Sequence, residues 1–346
     1  MPGSMSAEPP PNPVLVTVTR SGFTESVHRG AVCVVDAEGE TVLAAGDVGR
    51  PVLPRSAIKP LQAIPFVEDG AADVWKATGE EIALACASHS GDPVHLRTAR
   101  AWLNRLGLPE IALACGPRLP LGHMSAVRME AAGEAPSRLH NACSGKHLAM
   151  IATALNNGVP SEGYARPDHP VQRRILETLS EVADTDLSGA AVTVDGCGVP
   201  CWAIPLKTVA RAYARFADTR GMPVPRQSAI RRLKVAIASH PEQVAGKDRF
   251  DTALIGRKGH GLMVKTGAEG VYTAALPYLG LGVAIKIDDG ARRAAEVAMA
   301  AVLRYLEMLD DADWAVLRPY VEPPVRNAAG EIVGGFDIAP GWLGRA

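Results

Sequence analysis

The sequence predicts an α/β protein whose β-sheet is built from N- and C-terminal segments, flanked by helices, with a mostly helical central part. Two observations predict it. Short β-branched runs cluster at both ends of the chain, and apolar residues fall at helical spacing between them. With 346 residues and 47% hydrophobic content, the chain can bury a sizeable core.

Residues 1–13 (MPGSMSAEPPPNP) are polar and Pro-rich and predict a disordered lead-in. Residues 14–346 then form one unit, with a sheet part at 14–55 and 250–346 and a mainly helical part at 56–249. Residues 14–19 (VLVTVT), 31–36 (AVCVVD) and 41–45 (TVLAA) predict strands, the last two joined by a turn containing Gly39. Helical spacing covers 93–106, 146–156, 169–183, 204–217 and 227–239, and Gly158 fits a helix stop. Strand character returns at 191–195, 261–266 and 281–287, followed by an Ala-rich helix over 291–309. The alternation needed for a doubly wound parallel sheet is not evident.

Composition narrows the function. The formal net charge is −1, from 36 basic and 37 acidic residues, and no basic patch favours nucleic acid or an anionic membrane. No run of about 18 apolar residues exists, and the N-terminus has no signal-like apolar stretch. The expected location is therefore the cytoplasm, where the six cysteines serve as thiols or metal ligands.

The segment PRSAIKPLQAI carries the first chemical signal. Pro60 inside a helix would clash with the carbonyl of Ser56, so Ser56 must sit at or before a helix start. There its hydroxyl meets the positive end of the helix dipole and backbone N–H groups able to bind an oxyanion. Lys59 follows one turn on, where a buried amine of lowered pKa can accept the hydroxyl proton. An isolated SxxK is more often an N-cap serine and a surface lysine. Here, of 15 serines, only Ser56 has Lys at the third following position.

Two further segments follow in order. ASHSG places Ser88 and Ser90 around His89, and VKTG places Lys265 on a predicted strand. Each alone reads as a turn serine or an edge lysine. SxxK, then Ser-x-polar, then Lys-Thr-Gly is the order of serine acyl-transfer enzymes of the β-lactamase and penicillin-binding class. In this reading Ser56 attacks an amide carbonyl, Lys59 takes its proton, and Ser88 with Lys265 forms a second hydroxyl–amine pair.

HNACSGKH (140–147) and VDGCGVPC (194–201) form a second cluster. Cys143, Lys146 and His147 open a helix, and Cys197 lies in a Gly-rich turn two residues after Asp195. Without a CxxC pair, spacing alone favours two buried thiols over a metal site. Asp195 suits either a substrate ammonium or a turn.

Taken together, TRSGFTESVHRGAV, PRSAIKPLQ, ASHSGD, NACSGKH, VDGCGVP, HPEQVAG, DRFDT, VKTGAEGV and DDGARRA resemble the asparaginase II family, the rhizobial-type class 3 asparaginases. The resemblance runs from about residue 19 to residue 293. It implies a serine β-lactamase-like fold and hydrolysis of the side-chain amide of L-asparagine. Ser56 with Lys59, and Ser88 with Lys265, match that family's two catalytic Ser–Lys tandems. Cys143, Lys146 and Cys197 match its zinc site, reversing the reading from spacing. Arg55, His89, His147 and Asp195 match its substrate-binding segments. The family also implies a homodimer and a Zn²⁺ that assists substrate binding. Asp92, Ala142 and Cys201 depart from its usual pattern.

Three alternatives stand beside this expectation. A penicillin-binding or β-lactamase-type hydrolase would use the same chemistry but needs export. A non-catalytic amino-acid-binding protein could use the same pocket. Glutamine differs from asparagine by one methylene, worth about 1–3 kcal/mol in a pocket.

Overall fold

The main sheet joins both ends of the chain. The computed structural model describes residues 11–344, so most of the expected lead-in, residues 1–10, lies outside the described residues. Its strands are β1 (Val14–Arg20), β2 (Phe23–Asp36), β3 (Thr41–Ala45), β4 (Met263–Thr266), β5 (Val271–Leu276), β6 (Leu281–Ile287), β7 (Val325–Arg326) and β8 (Ile332–Ile338). They run in the order β7-β8-β1-β2-β6-β5-β4, with β3 also paired to β2. Every ladder is antiparallel. The expected α/β architecture is therefore observed.

β4 and β5 are buried throughout and β6 nearly so, which requires cover on both faces. The helices Leu206–Ala217 and Arg292–Tyr305 supply it. Gly282 shows how closely the first of these approaches. A Cβ there would lie 2.1 Å from both the Ala210 carbonyl and the Ala214 amide nitrogen. β2 is long enough to change partners, pairing β1 over Phe23–Arg29 and β6 over Gly30–Asp36.

The central part is helical, as its periodicity predicts. Pro93–Arg105, Ser144–Asn156, Pro170–Ala183, Leu206–Ala217 and Val224–Ser239 fall within a few residues of the expected spans. Phe66 and Trp102 pack at 5.2 Å between ring centroids within one contiguous apolar core. The structure adds elements the sequence reading omits, among them β5, β8 and the helices Gly79–Ala85, His123–Ala131, Phe250–Lys258 and Asp311–Val321. β8 contains Gly334 and Gly335, and the last helix contains Pro319, residues that weaken strand and helix patterns. Among the described residues, no helix is long and apolar enough to cross a membrane.

Candidate active site

Ser56 lies in a 3₁₀ turn, Arg55–Ile58, and the α-helix begins at Lys59 with Pro60 in its first turn. This is the start that the Pro60 clash demands. Two side chains fix the turn to the sheet layer. The Tyr213 hydroxyl donates to the Ala57 carbonyl, and Thr273 Oγ1 donates to the same oxygen at 3.1 Å. Arg55 has φ of 50°, a left-handed conformation that costs a non-glycine residue on the order of 1–3 kcal/mol. Its guanidinium is held by Asp195, Nε to Oδ1 at 2.5 Å.

Ser88 sits in an extended segment after the helix Gly79–Ala85. Its amide donates to the Val244 carbonyl at 2.9 Å, and the Ser90 amide to Ala245 at 2.8 Å. In extended backbone, alternate side chains face opposite ways. Ser88 reaches the cleft, while His89 turns toward Ser144 Oγ at 2.9 Å and stacks on His95.

The Ser88 hydroxyl is the meeting point of two buried lysines. Lys59 Nζ lies 3.1 Å away and Lys265 Nζ 2.8 Å away. Lys59 also donates to the Ala87 and Ala142 carbonyls, so three acceptors match its three N–H groups. Burial lowers the Lys265 pKa to about 7, with Asp251 opposing and Lys59 and Arg249 assisting. A neutral Lys265 amine can donate to the Thr266 carbonyl at 2.8 Å while accepting from the Ser88 hydroxyl.

The sequence pairing therefore differs in one respect. Among the described residues no hydrogen bond joins Ser56 to Lys59, whose Nζ is directed to Ala87, Ser88 and Ala142. Ser56 and Ser88 both line one cleft of about 250 Å³.

The cysteine cluster forms the neighbouring wall. Sulfur and carboxylate atoms of Cys143, Asp195 and Cys197 all lie within 4.8 Å of one another. Lys146 Nζ is 3.4 Å from Asp195 Oδ2, as is Cys197 Sγ. Gly145 allows the helix Ser144–Asn156 to come this close, since a Cβ there would lie 2.1 Å from the Leu84 carbonyl. The interaction between the two thiols, with Lys146 beside them, lowers Cys197 to about 6, and the same interaction and burial push Cys143 up to about 12. Burial works against the Lys146 charge, but Cys197, Cys143 and Asp195 outweigh it and hold the ammonium above its usual range. Burial likewise opposes the Asp195 charge, while Lys146 and Arg55 hold its carboxyl well below the usual range. Two sulfurs, a carboxylate and an amine in one buried cluster are a donor set that fits Zn²⁺. Cys201 is buried on the strand Pro200–Trp202 and is not among these clustered donors.

Of the expected substrate-binding residues, Arg55 and Asp195 line the cleft. His89 and His147 stand behind its wall. Burial, then the Lys146 charge, lowers His147 to about 3, and its Nδ1 is 2.5 Å from the Tyr164 hydroxyl. The structure adds lining residues that have no role assigned from sequence: Asn141, Arg249, Thr266 and Arg292, which lie within quoted segments, and Arg118, which lies in none.

No curated protein sequence matches the chain. Among solved structures, one described as Mglu in its native form shares 15% identity over 82% of this chain, with a TM-score of 0.46. The chain spans 66% of that protein's length. A β-lactamase from Mycobacterium bovis shares 12% identity over 80% of this chain and 94% of its own, with a TM-score of 0.40. The sequence profile described as L-asparaginase II matches residues 16–338, a span containing every cleft residue named above. The chain therefore belongs to the L-asparaginase II family of hydrolases, which act on asparagine amides.

Proposed function

We propose that the protein hydrolyses the side-chain amide of L-asparagine to L-aspartate and ammonia through a serine ester. The observation that carries this reading is the 2.8 Å contact of Lys265 with Ser88, inside the cleft that Ser56 also lines. A lysine amine brought to about 7 by burial is a competent proton acceptor near neutral pH.

Ser56 attacks the amide carbonyl from the turn just before its helix, where the positive end of the helix favours the developing oxyanion. Its proton passes to Ser88 and from Ser88 to Lys265. The same relay returns a proton to the departing ammonia. Water then cleaves the β-aspartyl ester, with Lys265 again accepting the proton. Lys59 holds Ser88 in register. Arg55 and Asp195 form a charged pair at the cleft wall that orients the amino-acid end of the substrate. Cys143, Lys146 and Cys197, beside Asp195, would hold a Zn²⁺ ion. Bound there, the ion would supply positive charge that draws Asp195 and the substrate into place.

A second reading makes Ser88 the attacking group, favoured by the two lysine amines on its hydroxyl. One experiment tests both. Acid quenching during turnover of asparagine, followed by peptide mass spectrometry, is expected to show a β-aspartyl ester on Ser56. An ester on Ser88 would establish the second reading. No ester on either serine, with ammonia still released, would end the covalent mechanism.

A further inference from the structure

Arg249 presents an anomaly within the cleft wall. Its side chain is more than nine-tenths buried, yet it forms no ion pair with a carboxylate among the described residues. A guanidinium has five N–H donors. Here only one hydrogen bond is made, from Nη1 to Ser90 Oγ at 3.4 Å, and Nε is buried without a partner. Burial and the neighbouring Arg292 charge both disfavour the cation, with Asp251 opposing. An unsatisfied buried guanidinium is costly, so structures retain one where a ligand completes it.

Its surroundings define that ligand. Arg249 shares the cleft with Ser56, Ser88 and Thr266. Arg292, beside it, is already engaged, with Nε donating to Glu296 at 2.7 Å. Ser90, which receives Arg249, is itself anchored to the Ala245 carbonyl at 2.9 Å. Gly246 keeps that contact open, since a Cβ there would lie 2.6 Å from Ser90 Oγ. The fork of Arg249 is thus positioned but unfilled, the condition for bidentate capture of a planar carboxylate.

We propose that Arg249 is the receptor for the α-carboxylate of the amino-acid substrate. This rests on the amino-acid amidase reading above and adds to it a specificity-determining residue. The free carboxylate then becomes a requirement for tight binding, and asparagine within a peptide chain is a poor ligand. Arg55 already shares its charge with Asp195 through Nε, whereas Arg249 has no carboxylate partner among the described residues.

The test uses two non-reacting ligands, L-aspartate and its α-carboxamide, L-isoasparagine, measured by calorimetry on the full chain. The two differ only at the group assigned to Arg249. The natural protein is expected to prefer L-aspartate by roughly 10- to 100-fold, the range for a charge-assisted pair. Arg249→Gln is expected to abolish that preference while binding isoasparagine as before. Arg249→Lys, a point charge without the fork, is expected to retain part of it. A preference unchanged in Arg249→Gln would overturn the proposal. Should Arg249→Gln lose both ligands through misfolding, Arg249→Lys decides, and its complete loss of preference with isoasparagine binding intact counts for the fork, whereas full retention counts against it. If the natural protein binds neither ligand, the amino-acid amidase reading itself fails, and this assignment with it.

Discussion

Lys265 Nζ and Ser88 Oγ stand 2.8 Å apart although 177 residues separate them in sequence. The pair lies inside the protein, with Lys265 fully buried and Ser88 nearly so. A hydroxyl against an amine in this setting is poised for proton transfer, and the chemistry depends on which of them carries the proton.

Acidification should therefore switch the protein off. The Lys265 pKa is lowered to about 7, and the proposed mechanism requires the neutral amine. The value of kcat/KM should rise with pH and level off above about 7, falling about tenfold for each further unit below it. Lys265→Arg, charged at every accessible pH, should lose at least about 10³-fold activity. A rate that does not change between pH 5 and pH 8 would exclude Lys265 as the base.

Metal content gives a separate test. The protein purified with zinc should carry one ion per chain by elemental analysis, and Cys197→Ala should lose it. Chelation is expected to raise KM for asparagine more than it lowers kcat. Full zinc occupancy in Cys197→Ala would place the ion elsewhere.

Tyr213→Phe probes the seat of Ser56. The lost hydroxyl donates to the Ala57 carbonyl, but Thr273 still serves that oxygen. Without an orphaned acceptor, the cost should be about 1 kcal/mol, read from chemical denaturation. The looser turn should reduce kcat by less than about tenfold. A loss of several kcal/mol would show that Thr273 does not compensate.

Gly282→Ala tests the sheet–helix contact. The added methyl would meet the Ala210 carbonyl and Ala214 amide at 2.1 Å, and backbone atoms cannot rotate away. Overpacking of this kind costs about 1–3 kcal/mol, visible as a lower melting temperature. Gly189→Ala, with nothing within 4 Å of its new methyl, is the matched control.

Local chemistry made much of this legible. Pro60 required Ser56 to precede the helix, and the structure places it in the turn just before. The β-branched runs at β1, β3 and β6 are strands, and Ser88 and Lys265 meet as one pair. Other features depend on tertiary contacts that no local pattern encodes. Lys59 turns to Ser88 because two carbonyls and a hydroxyl converge there from distant segments. Cys143 and Cys197 lie on separate elements, so no CxxC spacing marks the cluster that includes Asp195. His89 carries the polarity of a ligand residue, but its ring is engaged by Ser144 and does not line the cleft. Arg249 lies in the quoted DRFDT segment, but its unpartnered burial in the cleft wall is visible only in the fold.

The closure of the sheet by both chain ends carries a consequence for biosynthesis. Ser56 and Ser88 leave the ribosome long before Lys265, and β1 waits for β8, whose register ends at Ile338. A growing polypeptide therefore presents Ser88 well before Lys265, and the two side chains can meet only once the C-terminal strands have been made. Translation order thus sets when this buried hydroxyl–amine contact can form.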